Sequence, residues 1–499
     1  MIGERAARIG LLVPAGLLCA LMVEAWPVTV DDAFISLRHA RHWVVHGSPS
    51  FDAAEPIEAY SNFLSVAFAA GVLRLGGDPV SAAKALGAAC ALGSLALTFG
   101  LARRLGAGPG HALLGAGILS VSTGLGFWAV SGLETALFGL LLSCGVWLLA
   151  GERTSPWRTA AVLLLAALAR VEGPVLVGAA IAARAAVRRA DGLRVRAVAH
   201  EHAWVVALAA GYSAYFAWRW HHYGHLFPSP IYFKRIGAAG DVFASHTAVF
   251  LANSWPLVFV ACTAIWLAGR RSWIALAPGA AALAIFATAR ELVLEDVSTM
   301  AWFDRYFVPV LPCLVAAAVA ALAGAARAAA GSAPRRAATA LVGGFLLVWQ
   351  LLNPEANPLR MLARSRGYPR AVAVRNVPTA HYLEQRFGAA GSVVAGDVGL
   401  LGYRFHGAVW DLYGLASYDR TLRHGGELLP YLRELLAREP DAIVLCFSEK
   451  RDPPEPCHHA ERELAALPEF RAHYSLAAEF GRTDVPSAYD VIFTREPAL

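Results

Sequence analysis

Charge is what this chain is short of. Only 16% of its 499 residues are Asp, Glu, Lys or Arg, and 57% are hydrophobic, whereas a soluble domain carries about 25% charged residues. That deficit excludes an ordinary soluble enzyme. The compact signatures of several enzyme classes are missing too. No phosphate-binding Gly-Lys loop, His-Glu-x-x-His or Gly-x-Ser-x-Gly occurs, so no residue pattern points to a P-loop NTPase, a zinc protease or a serine hydrolase. The seven cysteines show no metal-ligand spacing, and five of them, Cys19, Cys90, Cys144, Cys262 and Cys313, lie in apolar runs as packing residues do. Cys446 and Cys457 fall in the polar tail, where they are a disulfide in an oxidising compartment or two thiols in a reducing one.

What is present is a series of apolar runs. A helix rises about 1.5 Å per residue, so roughly 20 apolar residues cross about 30 Å of hydrocarbon. Runs near 9–30, 80–102, 111–130, 135–150, 157–170, 173–187, 201–220, 246–268, 272–290, 306–326 and 337–352 predict about eleven transmembrane helices. The first is read as an uncleaved span, because many others follow it and the bulky Leu18 before Cys19 does not suit lipoprotein processing.

The net charge of +6 does not imply a nucleic-acid partner, since the arginines fall between the apolar runs and form no single basic face. Cytoplasmic loops are enriched in Lys and Arg. If the amino terminus is cytoplasmic and the shorter run 61–75 does not span, one side receives Arg103–Arg104, Arg153 and Arg158, Arg184 to Arg196, Arg270–Arg271, and Arg327 with Arg335 and Arg336. Counting 61–75 as a span would put these clusters outside. The expected arrangement is therefore a transmembrane part, 1–352, with a large first outer loop at 31–79. Residues 353–499 then form an extracytoplasmic α/β domain of a protein in the bacterial cytoplasmic membrane. In that tail, strands are predicted at 392–395, 408–410, 442–445 and 489–493, with helices near 371–387 and 420–437.

With the sides assigned by arginines alone, the polar residues suited to chemistry gather on the outer one. Asp31 and Asp32 end the first span; adjacent carboxylates beside a bilayer are costly unless hydrated, paired or used, and either can instead cap the next helix. That helix is amphipathic, so Arg38 is a surface anchor or a ligand of a lipid phosphate. Glu58, Tyr60, Asn62, Glu134, Arg170 and Glu172 sit at outer span ends, as interfacial residues or as the lining of a site. Tyr232 and Lys234 belong to an aromatic and His-rich loop, and Lys234 suits a phosphate. Asp304 and Arg305 open a span as a local ion pair or as further donor contacts. Asp397 and Asp411 lie beside glycines in the tail, in turns or at a glycan site.

The stretch Asp31-Asp32-Ala33-Phe34-Ile35-Ser36-Leu37-Arg38 and the later Glu58-Ala59-Tyr60-Ser61-Asn62-Phe63-Leu64 resemble the GT-C glycosyltransferases of the actinobacterial cell-wall arabinofuranosyltransferase type. The resemblance continues through Ser131 to Thr135, Arg170 to Gly173, Pro228 to Lys234, Arg305 to Pro309, Gly396 to Gly399 and Trp410 to Leu415. Ala59 stands for a glycine, Ser65 for a tryptophan, Val171 for a proline, and Ser229-Pro230 for Asn-Thr, so the resemblance reaches the superfamily and leaves the sugar open. It implies transfer of a sugar, arabinofuranose in that family, from a polyprenyl-phosphate donor to a glycan or other cell-envelope acceptor. Asp31 or Asp32 would be the general base, with Arg38, Lys234 and Arg305 near the donor phosphate. A divalent cation is the one cofactor it admits. The alternatives are a transporter or flippase of lipid-linked sugars, which would place polar residues at mid-bilayer, and a membrane protein that binds glycan without chemistry.

Overall fold

The computed structural model describes residues 3–152, 155–233, 246–288, 302–353, 357–448, 454–481 and 488–496. A helix coincides with every apolar run. These are Leu12–Ala25, Pro79–Arg104, the pair Pro109–Ser120 and Thr123–Ala129, Thr135–Leu149, Pro156–Ala169, Gly173–Ala190, Val205–Tyr223, His246–Leu267, Ser272–Thr288, Leu311–Ala328 and Ala333–Leu352. By length and composition alone, four described stretches can cross a membrane: Glu4–Ala25, Pro79–Arg104, Thr247–Leu267 and Trp302–Ala328. The pair bent by 63° near Val121 makes a fifth if it is one span. Thr135–Leu149 and Pro156–Ala169 have 15 and 14 residues, about 21–22 Å of helix against about 30 Å of hydrocarbon. Leu311–Ala328 is the axis of the bundle. Its small residues are buried from Leu311 to Gly324, and it packs against Pro79–Arg104, Pro109–Ser120, His246–Leu267 and Ser272–Thr288.

The basic clusters meet at one end of this bundle. Arg103 pairs with Glu4, Arg184 and Arg188 with Glu201, Arg270 with Asp191, and Arg271 with Glu152, while Arg327 donates to the carbonyl of Gly106 at 2.6 Å. The segment 61–75 contributes the 12-residue helix Phe63–Arg74, too short to span, which packs on the helix Asp31–His46.

The tail forms a six-stranded mixed sheet in the order β2-β1-β3-β6-β5, with β4 paired to β3. Its strands are β1 (Ser392–Ala395), β2 (Ala408–Asp411), β3 (Ala442–Ser448), β4 (Glu455–Pro456), β5 (Tyr474–Phe480) and β6 (Ala488–Arg495). β1 runs parallel to β2 and β3, and β6 antiparallel to β3 and β5. The unbroken burial of Val393, Val394 and Ala395 and of Ile443 and Val444 is that of a sheet covered on both faces. The first expected helix is two, Pro358–Val374 and Asn376–Phe387, and the second is Leu428–Ala437.

One expectation fails here. Asp31–His46 is not a lipid-surface helix, because nine of its 16 residues are buried, Arg38, His39 and His42 among them. Ile35 joins Phe51 and Ala59 in one hydrophobic cluster with Leu383, Val393, Leu401 and Phe405 of the tail. Phe34, Leu37 and Ala40 pack on the other side with Val66, Tyr223 and Leu400. The helix is thus the joint between the bundle and the sheet domain.

Candidate active site

Asp31 and Asp32 begin this joint helix after the extended Val30. Successive helical residues point about 100° apart, so the two carboxylates face different partners. Asp31 accepts hydrogen bonds from the backbone N–H groups of Gly399, at 2.9 Å, and Leu400, at 2.8 Å, and its own N–H donates to Tyr368 Oη. A Cβ at Gly399 would lie 2.1 Å from the Asp31 carbonyl oxygen, so only glycine permits this approach. Burial first, then the charge of Asp397, pushes the Asp31 carboxyl up to about 7 against the pull of the two N–H groups. Asp32 instead faces Arg305, whose Nη1 donates to its Oδ2 at 2.9 Å, and it remains 36% exposed.

The same joint helix holds the short tail helix Leu400–Arg404 at its other end. Arg38 donates to the carbonyls of Phe51 (2.7 Å), Phe405 (3.2 Å), Gly407 (3.1 Å) and, more closely, Gly402. Arg41 reaches those of Tyr403, Gly402 and Phe405. An acid at the amino end and arginines at the carboxyl end match the polarity of helical peptide groups. This corrects the expectation for Arg38: it is 1% exposed and bound to main-chain carbonyls, so it does not present itself to a donor phosphate.

Arg305 is held out by unusual backbone. Phe303 and Asp304 have φ of 53° and 57°, the left-handed region that costs a non-glycine residue about 1–2 kcal/mol. The turn fits because Gly124 has no Cβ, which would otherwise sit 2.4 Å from the Phe303 carbonyl oxygen. The guanidinium lies over the Trp128 ring at 5.1 Å. Beneath it is a buried chain of polar groups. Ser36 donates to Asn62 Oδ1 at 2.9 Å, Asn62 Nδ2 donates to Glu134 at 2.6 Å, Arg170 bonds Glu134 closely, and Arg170 Nε donates to Glu172 at 2.5 Å. Burial would raise Glu134, but the charges of Arg170 and then Arg305 hold its carboxyl below the ordinary range. Arg170 also lines a cavity of about 90 Å³ with Ser61, Tyr212, Tyr215, Leu226 and Phe227. On that cavity's wall Glu58 pairs with Arg219 at 2.6 Å; burial lifts Glu58 to about 7 although Arg219 opposes it.

The remaining expected residues divide. Tyr60 is 2% exposed, with its Oη 3.2 Å from that of Tyr223. Tyr232 joins the rings of Phe227 and Tyr418, each about 6 Å away. Lys234 lies outside the described residues. Asp397 follows β1 at the carboxyl edge of the parallel strands and pairs with Arg375 at 2.6 Å. There it borders a small pocket with Asn376, Thr379, Tyr413, Cys446 and Asp490. Asp411 is a correction: its oxygens accept from the N–H groups of Tyr413 and Ala416 and it is 2% exposed, so it shapes the 411–416 loop and does not reach a ligand.

Sequence reasoning missed Arg219, Tyr368 and Arg375. Arg219 alone left a signal, a single charge between Trp218 and Trp220 at the end of an apolar run. Among the described residues no three His, Cys, Asp or Glu side chains lie together as metal ligands, and the two adjacent aspartates turn to different partners.

The tail, residues 366–494, matches a family described only as a domain of unknown function (DUF8728). No curated protein matches the sequence. Among solved structures, ArnT from Cupriavidus metallidurans in the apo state aligns with a TM-score of 0.60 at 14% identity, covering 96% of this chain and 97% of that one. ArnT bound to undecaprenyl phosphate gives 0.59 at 14% identity, with 97% of each chain covered. The apo oligosaccharyltransferase from Archaeoglobus fulgidus gives 0.50 at 11% identity, over 88% of this chain and 69% of that chain. The chain therefore has a GT-C membrane fold with a carboxyl-terminal α/β sheet domain, and the alignment with ArnT takes in most of both parts.

Proposed function

We propose that this protein is a membrane glycosyltransferase that moves a sugar from a polyprenyl-phosphate donor to a hydroxyl of a cell-envelope glycan on the outer face of the cytoplasmic membrane. The observation that carries the reading is Asp32, a partly exposed carboxylate held by Arg305 where bundle and sheet domain meet. Its likeness in fold to ArnT bound to undecaprenyl phosphate and to an oligosaccharyltransferase supports it; arabinofuranose is the sugar of the family its sequence resembles, and the departures from that family's pattern leave the sugar open.

In this scheme the acceptor oxygen bonds to the anomeric carbon as the bond from that carbon to the phosphate oxygen breaks. The acceptor proton passes to Asp32, and polyprenyl phosphate leaves. General-base assistance of this kind is worth about 10² to 10⁴ in rate. Arg305 stabilises the phosphate charge. Before the donor arrives Arg305 is paired with Asp32, so a phosphate that draws the guanidinium away also frees the carboxylate as a base. Asp31 docks the tail, and Asp397 and its neighbours at the edge of β1 meet the acceptor. The network of Asn62, Glu134, Arg170 and Glu172 keeps Arg305 and the cavity in place.

Purified protein in vesicles supplied with polyprenyl-phosphate sugars extracted from envelope membranes tests this. The expected result, read by mass spectrometry, is loss of sugar from the lipid and its gain on added glycan. Movement of intact lipid-linked sugar across the vesicle without such a product would establish transport in place of transfer.

A further inference from the structure

We infer that Cys446 and Cys457 are a disulfide-forming pair, closed by exchange with a protein disulfide, that fastens β4 to β3 beside the carboxyl-edge pocket. The register is the first support. β3 and β4 are antiparallel with Phe447 opposite Pro456 and Ser448 opposite Glu455, so the next step along the ladder sets Cys446 opposite Cys457. The Cys457 N–H donates to the Cys446 carbonyl at 2.6 Å, which continues the pairing to these two residues. Residues opposed in an antiparallel ladder have Cα atoms about 4.5–5.5 Å apart, within the 4.4–6.8 Å that a disulfide spans. The side chains also turn toward each other, with their sulfurs in contact.

The surroundings suit exchange chemistry. Both residues are half-buried, so a partner can reach them, whereas the other five cysteines sit within apolar helices of the bundle. Arg375 Nη1 donates to Cys446 Sγ at 3.4 Å, and a guanidinium beside a thiol favours the thiolate that attacks. One thiolate of the pair attacks one sulfur of the oxidant's disulfide and releases the oxidant's other sulfur as a thiol. The second thiolate then displaces the oxidant from that mixed disulfide. Two electrons and the two thiol protons leave with the oxidant as its dithiol.

The pair touches the site described above through Arg375, which bonds Cys446, Asp397 and Asp490 together. Closing the bond fixes the edge against which Asp397 is set. It also reports on orientation, because such bonds persist in oxidising compartments and are rare in the cytosol. The cross-link does not rest on sugar transfer; only the outside location of its oxidant rests on the orientation proposed above.

The test uses the full-length protein in cell membranes. Cells are quenched with acid and N-ethylmaleimide, the protein is reduced, and newly freed thiols take an alkylating reagent of different mass before peptide mass spectrometry. Cys446 and Cys457 are expected to carry the second reagent. The first reagent on both in the wild type would overturn the pair. In Cys446→Ser the remaining Cys457 is expected to react with a membrane-impermeant maleimide added to intact spheroplasts. Reaction only after permeabilisation would overturn the oxidising-side placement, and sugar transfer is read separately on the wild-type protein.

Discussion

At one end of the bundle Arg103, Arg270 and Arg271 pair with Glu4, Asp191 and Glu152 through side chains 37–79% exposed. At the other, Arg170 and Arg219 pair with Glu134 and Glu58 through side chains no more than 7% exposed. The residue types are the same, and burial makes them different objects. Exposed pairs are worth about 0–1 kcal/mol and do little to hold the chain together. Buried pairs are costly to assemble, and removing one partner strands a charge in a medium that cannot solvate it. A protein keeps such groups where their positions matter, and here the Arg170–Glu134 pair lies within electrostatic reach of Arg305.

The contrast can be broken or sharpened by substitution. The largest effect is expected for Asp32→Asn, which should lower sugar transfer by about 10² to 10⁴ and leave the melting temperature near wild type; unchanged transfer would remove Asp32 as the base. Arg170→Met leaves Glu134 and Glu172 buried without their cation, and should cost about 3–5 kcal/mol in denaturant titrations of detergent-solubilised protein. Arg38→Met deprives the carbonyls around Leu400–Arg404 of their donor and should cost about 2–3 kcal/mol, seen as faster hydrogen exchange in β1 and β2 than in the bundle. At the basic end Arg271→Met should cost less than about 1 kcal/mol.

A separate effect follows from pH. Asp31 is held up to about 7 by burial and by Asp397, while in an unfolded chain an aspartate titrates near 3.9. Its contribution to stability is fully present below about pH 4, where both states carry the proton. As pH rises toward 7 the unfolded chain releases that proton first, so stability falls and then levels. Asp31→Asn should flatten this decline in thermal melts between pH 4.5 and 7. An equally steep decline in the variant would show that Asp31 is not its source.

Much of this architecture is legible in the residues. The arginines are short-range signals, each readable beside its own apolar run, so the two ends of the bundle emerge before any coordinates. β1, β3 and β6 announce themselves through β-branched runs such as Ser392–Ala395 and Ala442–Leu445. β5 does not, because Tyr474–Phe480 is an edge strand with Ala477, Ala478 and Glu479 at its centre, residues of low strand preference. The aspartate pair shows the limit. Asp31 and Asp32 are indistinguishable in the sequence, and what separates them is a glycine 368 positions away and an arginine 273 away. Arg38 misleads for a related reason: a cation on an amphipathic helix fits a lipid surface equally well until the tail's carbonyls are seen to cover it.

On the proposed function, the lipid phosphate binds at the buried-charge end of the bundle. Photo-crosslinking with a polyprenyl phosphate carrying a diazirine near its phosphate, followed by peptide mapping, tests it directly. Adducts are expected in the peptides that carry Trp302 to Val308 and Asp31 to Ile35. Adducts confined to the loops of Arg103–Arg104 and Arg270–Arg271 would contradict it.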